Sequence, residues 1–388
     1  VSGQQPWASW YSIDLTRMAE HQSQAGRANV NPRRDDCVTE NTMQAVVRYE
    51  KGPGKTELRE VRIPQIGPSD VLVKVEAVGI CGSDPHIHKE TFAFAIRIPV
   101  ILGHEFSGVI VEAGKDVRSF RRGDRVTSET HAAYCGRCPL CRTGNYQVCR
   151  ERKGFGFHVD GAFAEYIRVP EMSLHSLPDT VSFTSGALTE PLCVAYNAVV
   201  EKTRIRPGDA VAVIGPGPIG ILCVEMARVS GANPVVAIGV TADAERLKLA
   251  STMGATHCVN SDVDDPVSVV MQITSSAGVD AVIDAAGMGD TLRQSMQMVA
   301  PGGTITKVGW GPEPVGYSID PIIHKAVTLR GSFSHSWPMW ERCLKLMSQG
   351  QVHPESLVTH SLPLSEWEKG FELIESRKGL KVVLMPGR

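Results

Sequence analysis

Residues 210–220 read AVAVIGPGPIG, and the rest of the chain is organised by how that stretch is taken. Five apolar residues run into Gly215, Gly217 and Gly220, with Pro218 and Ile219 between the last two glycines. A glycine triplet alone marks many turns. Here a strand-like run precedes it, a helical stretch to about residue 229 follows, and a second strand, VVAIGV (235–240), comes next. In that βαβ setting Gly215 makes the tight turn and Gly217 lets the backbone approach a pyrophosphate at the helix N-terminus. Gly220 lets the helix pack on the strand. The alternation continues through a helix around 242–253 and strands at DAVIDAAG (280–287) and GGTITKVGW (302–310). It predicts an α/β fold with a doubly wound parallel sheet that binds a nicotinamide dinucleotide.

The cofactor's ribose should meet a carboxylate about 20 residues beyond the turn. Gly239, Val240 and Thr241 stand there, with Asp243 two positions on and Arg246 as the nearby cation. If Asp243 swings in, NAD is favoured; otherwise NADP is admitted. NAD is the slightly preferred expectation.

Before this region the pattern is different. QAVVRY (44–49), DVLVKVEAVGI (70–80), FSGVIVEAG (106–114), DRVTS (124–128) and AFAEYIRV (162–169) read as short strands punctuated by Gly and Pro, with Cys, His and Glu in the loops. Within them lies CGRCPLCRTGNYQVC (135–149). Cys135, Cys138, Cys141 and Cys149 can converge on one ion, and four thiolates give the closed tetrahedral sphere of a structural zinc. A second, open site needs fewer protein ligands and a vacant position. Its candidates are Cys81, His104, Glu105 and Glu190, each an ordinary residue when taken singly.

The 388 residues suffice for two domains, and 40 Lys plus Arg against 42 Asp plus Glu leave no basic field for nucleic acid or an anionic membrane. No stretch approaches the roughly 20 apolar residues of a membrane span, and the start lacks a secretory pattern, so a soluble cytoplasmic protein is expected. In such a chain the ten cysteines favour metal ligation and buried thiols over disulfides. Cys193, Cys223, Cys258 and Cys343 read as small core residues. Residues 1–42, with Trp7, Trp10 and Tyr11, read as a flexible N-terminal extension whose aromatics could dock on a surface.

GICGSDPHIH (79–88), GHEFSG (103–108), the cysteine lobe, DGAFAEY (160–166), EPLCVAYNAV (190–199), GPGPIG and KVG (307–309) occur in that order. Together they resemble the zinc-dependent medium-chain dehydrogenases, the alcohol and polyol dehydrogenase superfamily, over about 43–386, and the polyol and threonine dehydrogenase branch in particular. The resemblance implies a GroES-like catalytic domain (43–192) interrupted by a Rossmann domain (193–332) and completed by 333–388. Cys81, His104 and Glu190 would fall on catalytic zinc, with Glu105 a direct or exchangeable ligand. Ser83 would fall on the hydroxyl that takes the substrate proton and His86 on the histidine that relays it. Val308 and Gly309 would lie at the cofactor, and Lys381 would touch its phosphate. The resemblance further implies two zinc ions per chain and a dimer or tetramer. One departure stands out: where sorbitol dehydrogenases carry an Arg-Tyr pair before Trp-Pro, this chain has SFSHSWPMW (332–340), with Ser334 and His335. The bidentate donor for a diol or carboxylate is missing from that segment, which weakens the case for sorbitol itself.

The leading expectation is therefore reversible oxidation of a secondary alcohol (a polyol, sugar alcohol or hydroxy acid) by hydride transfer. The alternatives are an NADPH-dependent aldehyde or ketone reductase and a dinucleotide-binding scaffold without turnover.

Overall fold

The computed structural model describes residues 41–311 and 314–387. The proposed extension up to residue 40, with Trp7, Trp10 and Tyr11, lies outside the described residues.

AVAVI becomes the strand Val211–Ile214, buried along its whole length. It sits near the middle of a six-stranded parallel sheet: His257–Asn260, Val235–Gly239, Val211–Ile214, Val279–Asp284, Val299–Lys307 and Thr328–Gly331. The strand order reverses beside Val211–Ile214, which is where doubly wound sheets open a crevice at the C-terminal strand ends. Alternate residues face opposite sides of the sheet. Val211, Val213, Val235 and Ala237 join one core with the helices Pro218–Val229 and Trp337–Ser348. Ala212, Ile214, Val236 and Ile238 join another with Pro266–Ile273 and Gly289–Met298. The strands His257–Asn260 and Thr328–Gly331 leave little apolar signal, because these four-residue edge strands bury few of their side chains. Cys258 lies on the first of them and is exposed, a correction to its reading as a core residue; Cys193, Cys223 and Cys343 are buried.

The β-rich part is built around Asp70–Gly79. This strand is flanked by Glu105–Ala113 on one side, and on the other by Tyr166–Pro170 along its first half and Lys381–Met385 at its end. The chain therefore returns after the parallel sheet and adds Lys381–Met385 and Val358–Pro363 to this second sheet. A smaller sheet pairs Thr56–Arg62, Thr42–Arg48 and Val100–Ile101. Thr56–Arg62 (TELREVR) escapes a hydrophobic reading because it is a charged edge strand.

Candidate active site

Three strands meet at Gly79, which lies opposite Glu105 on one neighbour and Val383 on the other. A side-chain carbon on Gly79 would collide with the Glu105 carboxylate, so glycine here makes the space into which Glu105 and Lys381 turn. Cys81 follows two residues later and His104 immediately precedes Glu105, so the thiol, ring and carboxylate atoms lie within 4.8 Å of one another. Lys381 Nζ is 2.5 Å from Glu105 Oε2 and donates to the Ile80 carbonyl at 3.0 Å. Lys381 is expected at a cofactor phosphate; the partners the structure gives it are the Glu105 carboxylate and the Ile80 carbonyl. Its place in the sheet turns the side chain inward, and only 3% of the residue is exposed.

Asp84, which the motif reading passed over, holds the trio from below. Its Oδ2 accepts from the Cys81 N–H at 2.9 Å, and its Oδ1 is 3.9 Å from His104 Nδ1. Burial lifts the Asp84 carboxyl to about 6. Burial also opposes a charged His104 ring, but Cys81, Asp84 and Glu190 outweigh it and lift that ring to about 10. Negative charge is thus concentrated here, while among the described residues nothing hydrogen-bonds to the buried His104 Nδ1, Asp84 Oδ1 and Ser83 Oγ. One thiol, one imidazole and one carboxylate with unspent polar atoms fit zinc in an open, three-ligand site. Ser83 opens the helix Ser83–His88 and His86 is one turn along the same face. His86 is exposed, with Nδ1 2.8 Å from Thr91 Oγ1.

Glu190, on the helix Thr189–Tyr196, stands outside the close trio but within the electrostatic reach of His104. Trp340 Nε1, a donor only, gives its hydrogen to His335 Nδ1 at 2.8 Å. His335 Nε2 therefore carries the ring proton and donates to Glu190 Oε1 at 3.2 Å. Burial would push the Glu190 carboxyl up, but His335, His104 and Lys381 outweigh it and hold it below the ordinary carboxylate value. The segment carrying His335 is fixed by Asn197, whose Nδ2 donates to the Ser334 carbonyl at 2.8 Å and the Phe333 carbonyl at 3.3 Å. Glu129, His131 and His335 also cluster within 4.8 Å, yet much of their capacity is already spent. His131 Nδ1 accepts from Arg152 Nε at 2.6 Å, its Nε2 donates to the His335 carbonyl at 2.9 Å, and the Tyr146 hydroxyl lies 2.8 Å from each Glu129 oxygen. This is a hydrogen-bond network, not a third metal centre.

In the lobe, Cys135 Sγ is 3.8 Å from Cys141 Sγ and 3.6 Å from Cys149 Sγ. Such spacings far exceed a disulfide bond of about 2.05 Å and match the edge of a tetrahedron with metal–sulfur bonds of about 2.3 Å. The N–H of Cys138 points at Cys135 Sγ and that of Cys141 at Cys138 Sγ, both at 3.4 Å. Hydrogen bonds from the backbone of Cys138 and of Arg137 pull the Cys135 thiol down to about 6, towards the thiolate that a metal requires. All four sulfurs fit a structural zinc.

At the dinucleotide turn, a side-chain carbon on Gly220 would strike the Gly215 carbonyl, whereas one on Gly217 would meet nothing within 4 Å. Gly217 thus faces open space, and no side chain caps the helix Pro218–Val229 that follows, the arrangement that accepts an anion. Residues 285–287 pack against Gly215 and Gly220 on one side and Gly309 on the other, which places Val308 and Gly309 beside the turn. Asp243 does not reach out from the strand end. Its Oδ2 accepts from the Val240 N–H at 3.3 Å and its Oδ1 pairs with Arg246 at 3.4 Å. Arg246 also donates to the carbonyls of Arg377 and Gly379. Thr241 is held by its N–H to Asp262 at 2.8 Å.

Residues 67–179 match the alcohol dehydrogenase GroES-like domain, and residues 218–349 match the zinc-binding dehydrogenase family. A sorbitol dehydrogenase of Halalkalibacterium halodurans is 38% identical, over 89% of this chain and 99% of that protein. A D-arabitol-phosphate dehydrogenase of Enterococcus avium is 35% identical, over 88% of this chain and 97% of its own length. The crystal structure of a zinc-binding dehydrogenase from Sinorhizobium meliloti, bound to NADP, superimposes with a TM-score of 0.81 at 35% identity, covering 89% of this chain and 99% of that one.

Proposed function

The chain belongs to the zinc-binding, GroES-like alcohol dehydrogenase family, and from that premise we propose that it oxidises a secondary alcohol to a ketone, reversibly, with NAD as the preferred acceptor. The observation that carries this reading is the convergence of Cys81, His104 and Glu105 within 4.8 Å, beside a buried Ser83 hydroxyl that has no partner.

Cys81, His104 and Glu105 hold zinc in this reading, Glu190 stands at its margin, and Cys135, Cys138, Cys141 and Cys149 hold the second ion. When bound, zinc supplies Lewis acidity towards the substrate oxygen and the nicotinamide supplies the hydride acceptor. Ser83 Oγ, without another hydrogen bond among the described residues, accepts the proton that the substrate hydroxyl gives away as it passes its own hydrogen on. His86, exposed one turn along the helix, passes it to solvent. Lys381 holds Glu105 in place, and His335 does the same for Glu190. Gly215, Gly217, Pro218, Ile219 and Gly220 receive the pyrophosphate, with Val308 and Gly309 alongside.

NAD is supported by the strand end. The carboxylate of Asp243 is turned to the Val240 N–H and to Arg246 and gives the ribose nothing, but Arg246 is committed to that carboxylate and to two carbonyls, so it is not available to reward a 2'-phosphate. On the same reading residues 43–192 and 333–388 form the catalytic unit and 193–332 the cofactor unit. The protein works in the cytoplasm as a dimer or tetramer.

The test is a panel of polyols, hydroxy acids and simple secondary alcohols with NAD or NADP, followed by absorbance of the reduced nicotinamide. It is run on zinc-replete protein and on protein stripped by a chelator and reloaded. Turnover that needs zinc and runs faster with NAD is expected. Zinc-replete protein that reduces neither dinucleotide with any alcohol overturns the reading.

A further inference from the structure

Ser334 and His335 leave the segment before Trp337 without an arginine, but the fold brings one to it from another part of the chain. Arg152, three residues past Cys149, places its guanidinium carbon 5.6 Å from the centre of the Phe333 ring. Nε donates to His131 Nδ1 at 2.6 Å and Nη2 to Thr130 Oγ1 at 3.3 Å. Among the described residues, Nη1 donates to nothing and no carboxylate oxygen lies within 4.0 Å of the guanidinium. Nη1 is not sealed from solvent either. Burial pulls the group down to about 10, so it is still a cation at neutral pH. A largely buried charge that no carboxylate touches directly is costly even with Glu190 and Glu129 in its field, and a ligand anion in contact with it would lower that cost.

The surroundings show which anion. A run of rings leads from the metal trio round to Arg152. His104 lies 4.9 Å from Phe157, and Phe157 stacks on Phe92 at 5.5 Å; Phe92 meets Phe94 at 5.4 Å. Phe94 meets Trp310 at 5.1 Å, and Trp310 meets Phe333 at 6.1 Å. Trp310 is 64% exposed directly after KVG, a large apolar surface left open beside these rings. Rings of this kind offer almost no partners for the hydroxyls of an extended polyol, and each hydroxyl buried against them without a partner costs free energy. Glu190 is the carboxylate that Arg152 feels most strongly, with Glu129 next. Two negative charges so near favour a monoanion over a dianionic phosphate.

We propose that Arg152 binds a carboxylate of the substrate, so that this site takes hydroxy acids with an apolar body in preference to neutral polyols. The inference names the substrate class of the site described above and rests on that reading for the hydroxyl end. Its experiment uses binding as well as turnover, so that the two can fail separately.

Calorimetry on zinc-replete protein without dinucleotide, where no turnover occurs, compares 3-hydroxybutanoate, 3-hydroxybutanamide and propane-1,2-diol 1-phosphate. The acid is expected to bind about 10- to 100-fold tighter than the amide, the size of one charge-assisted hydrogen bond, and tighter than the phosphate ester. Arg152→Gln should collapse the acid-to-amide ratio to within about threefold, while Arg152→Lys keeps an intermediate ratio because charge survives without the fork. An acid-to-amide ratio near one in the unmodified protein overturns the proposal, even if no variant folds. So does a ratio that Arg152→Gln leaves intact, or a phosphate ester that binds tighter than the acid. Initial rates on the same acid and amide then separate the readings. Selective binding of the acid, with neither compound oxidised by NAD or NADP, keeps the anion site and removes the dehydrogenase step.

Discussion

The cysteine lobe and the Cys81 site are both shaped for zinc, but the chain builds them in opposite ways. The lobe draws four sulfurs from residues 135–149 and orients two of them with backbone N–H groups three residues away. It needs little beyond its own loop. The Cys81 site takes residues 81, 84, 104 and 105, a lysine from residue 381 and a carboxylate from residue 190 that a histidine at 335 holds. Its geometry exists only once the sheets and both lengths of chain are assembled. A local site acts on folding; a distributed site reports on it.

Paired substitutions exploit that difference. Cys81→Ser should cut turnover by about 10³-fold or more, because the Lewis acid supplies several kcal/mol of the barrier. The protein should remain folded and bind dinucleotide at the separate glycine turn. Cys138→Ser should instead cost stability, since a structural zinc contributes folding energy directly. Activity and denaturant unfolding measured on both variants check this. If Cys81→Ser loses fold while Cys138→Ser loses only turnover, the two roles are reversed and the comparison breaks.

The same contrast explains what could be read in the sequence. GPGPIG and the cysteine lobe are legible because their physics is local: a turn, a helix end, a loop that closes on itself. The ligand candidates Cys81, His104, Glu105 and Glu190 are joined in one site only by the resemblance, which sets Glu190 beside Cys81 and His104; that Glu105 makes the close trio and Glu190 stands outside it is not readable from residue type or spacing. Nothing in LKVVLMP tells which way Lys381 faces before its neighbours are known; pairing beside Gly79 turns it to Glu105. Asp84 carried a faint signal, an acid three residues after a cysteine. Arg152 carried none, since its partners His131 and Phe333 lie tens to hundreds of positions away, whereas Trp340 is close in sequence to His335 but nothing in SHSWPMW says that its ring turns back to it.

Lys381→Met sharpens the contrast at intermediate size. Removing one member of a buried ion pair typically costs about 3–5 kcal/mol, because the other charge stays behind. Glu105 is 1% exposed and would be that charge. A bound cation would take over the role of Lys381, so the loss should be largest in chelator-stripped protein and smaller with zinc present. Thermal unfolding in both states measures it. An equal loss with and without zinc would separate Glu105 from the metal.

The smallest expected effect lies at His335, and it tests whether a distributed site depends on residues that touch no ligand. The Trp340 N–H fixes the His335 tautomer, and the remaining ring N–H aims at Glu190 Oε1. Truncation to alanine removes that donor and leaves Glu190, 8% exposed, free to change rotamer. Residues that orient a metal site's carboxylates typically contribute 10- to 100-fold, so kcat/KM for His335→Ala should fall by about that factor. His335→Gln, which keeps an N–H donor on the side chain, should recover part of it. Trp340→Phe should cost only about threefold, because the ring keeps its place while either nitrogen can then carry the proton. A structural role alone would make Ala and Gln equally poor and would follow unfolding temperature. Recovery by Gln at unchanged unfolding temperature would show that the donor to Glu190 matters, and that the distributed site extends at least one residue beyond anything that contacts substrate.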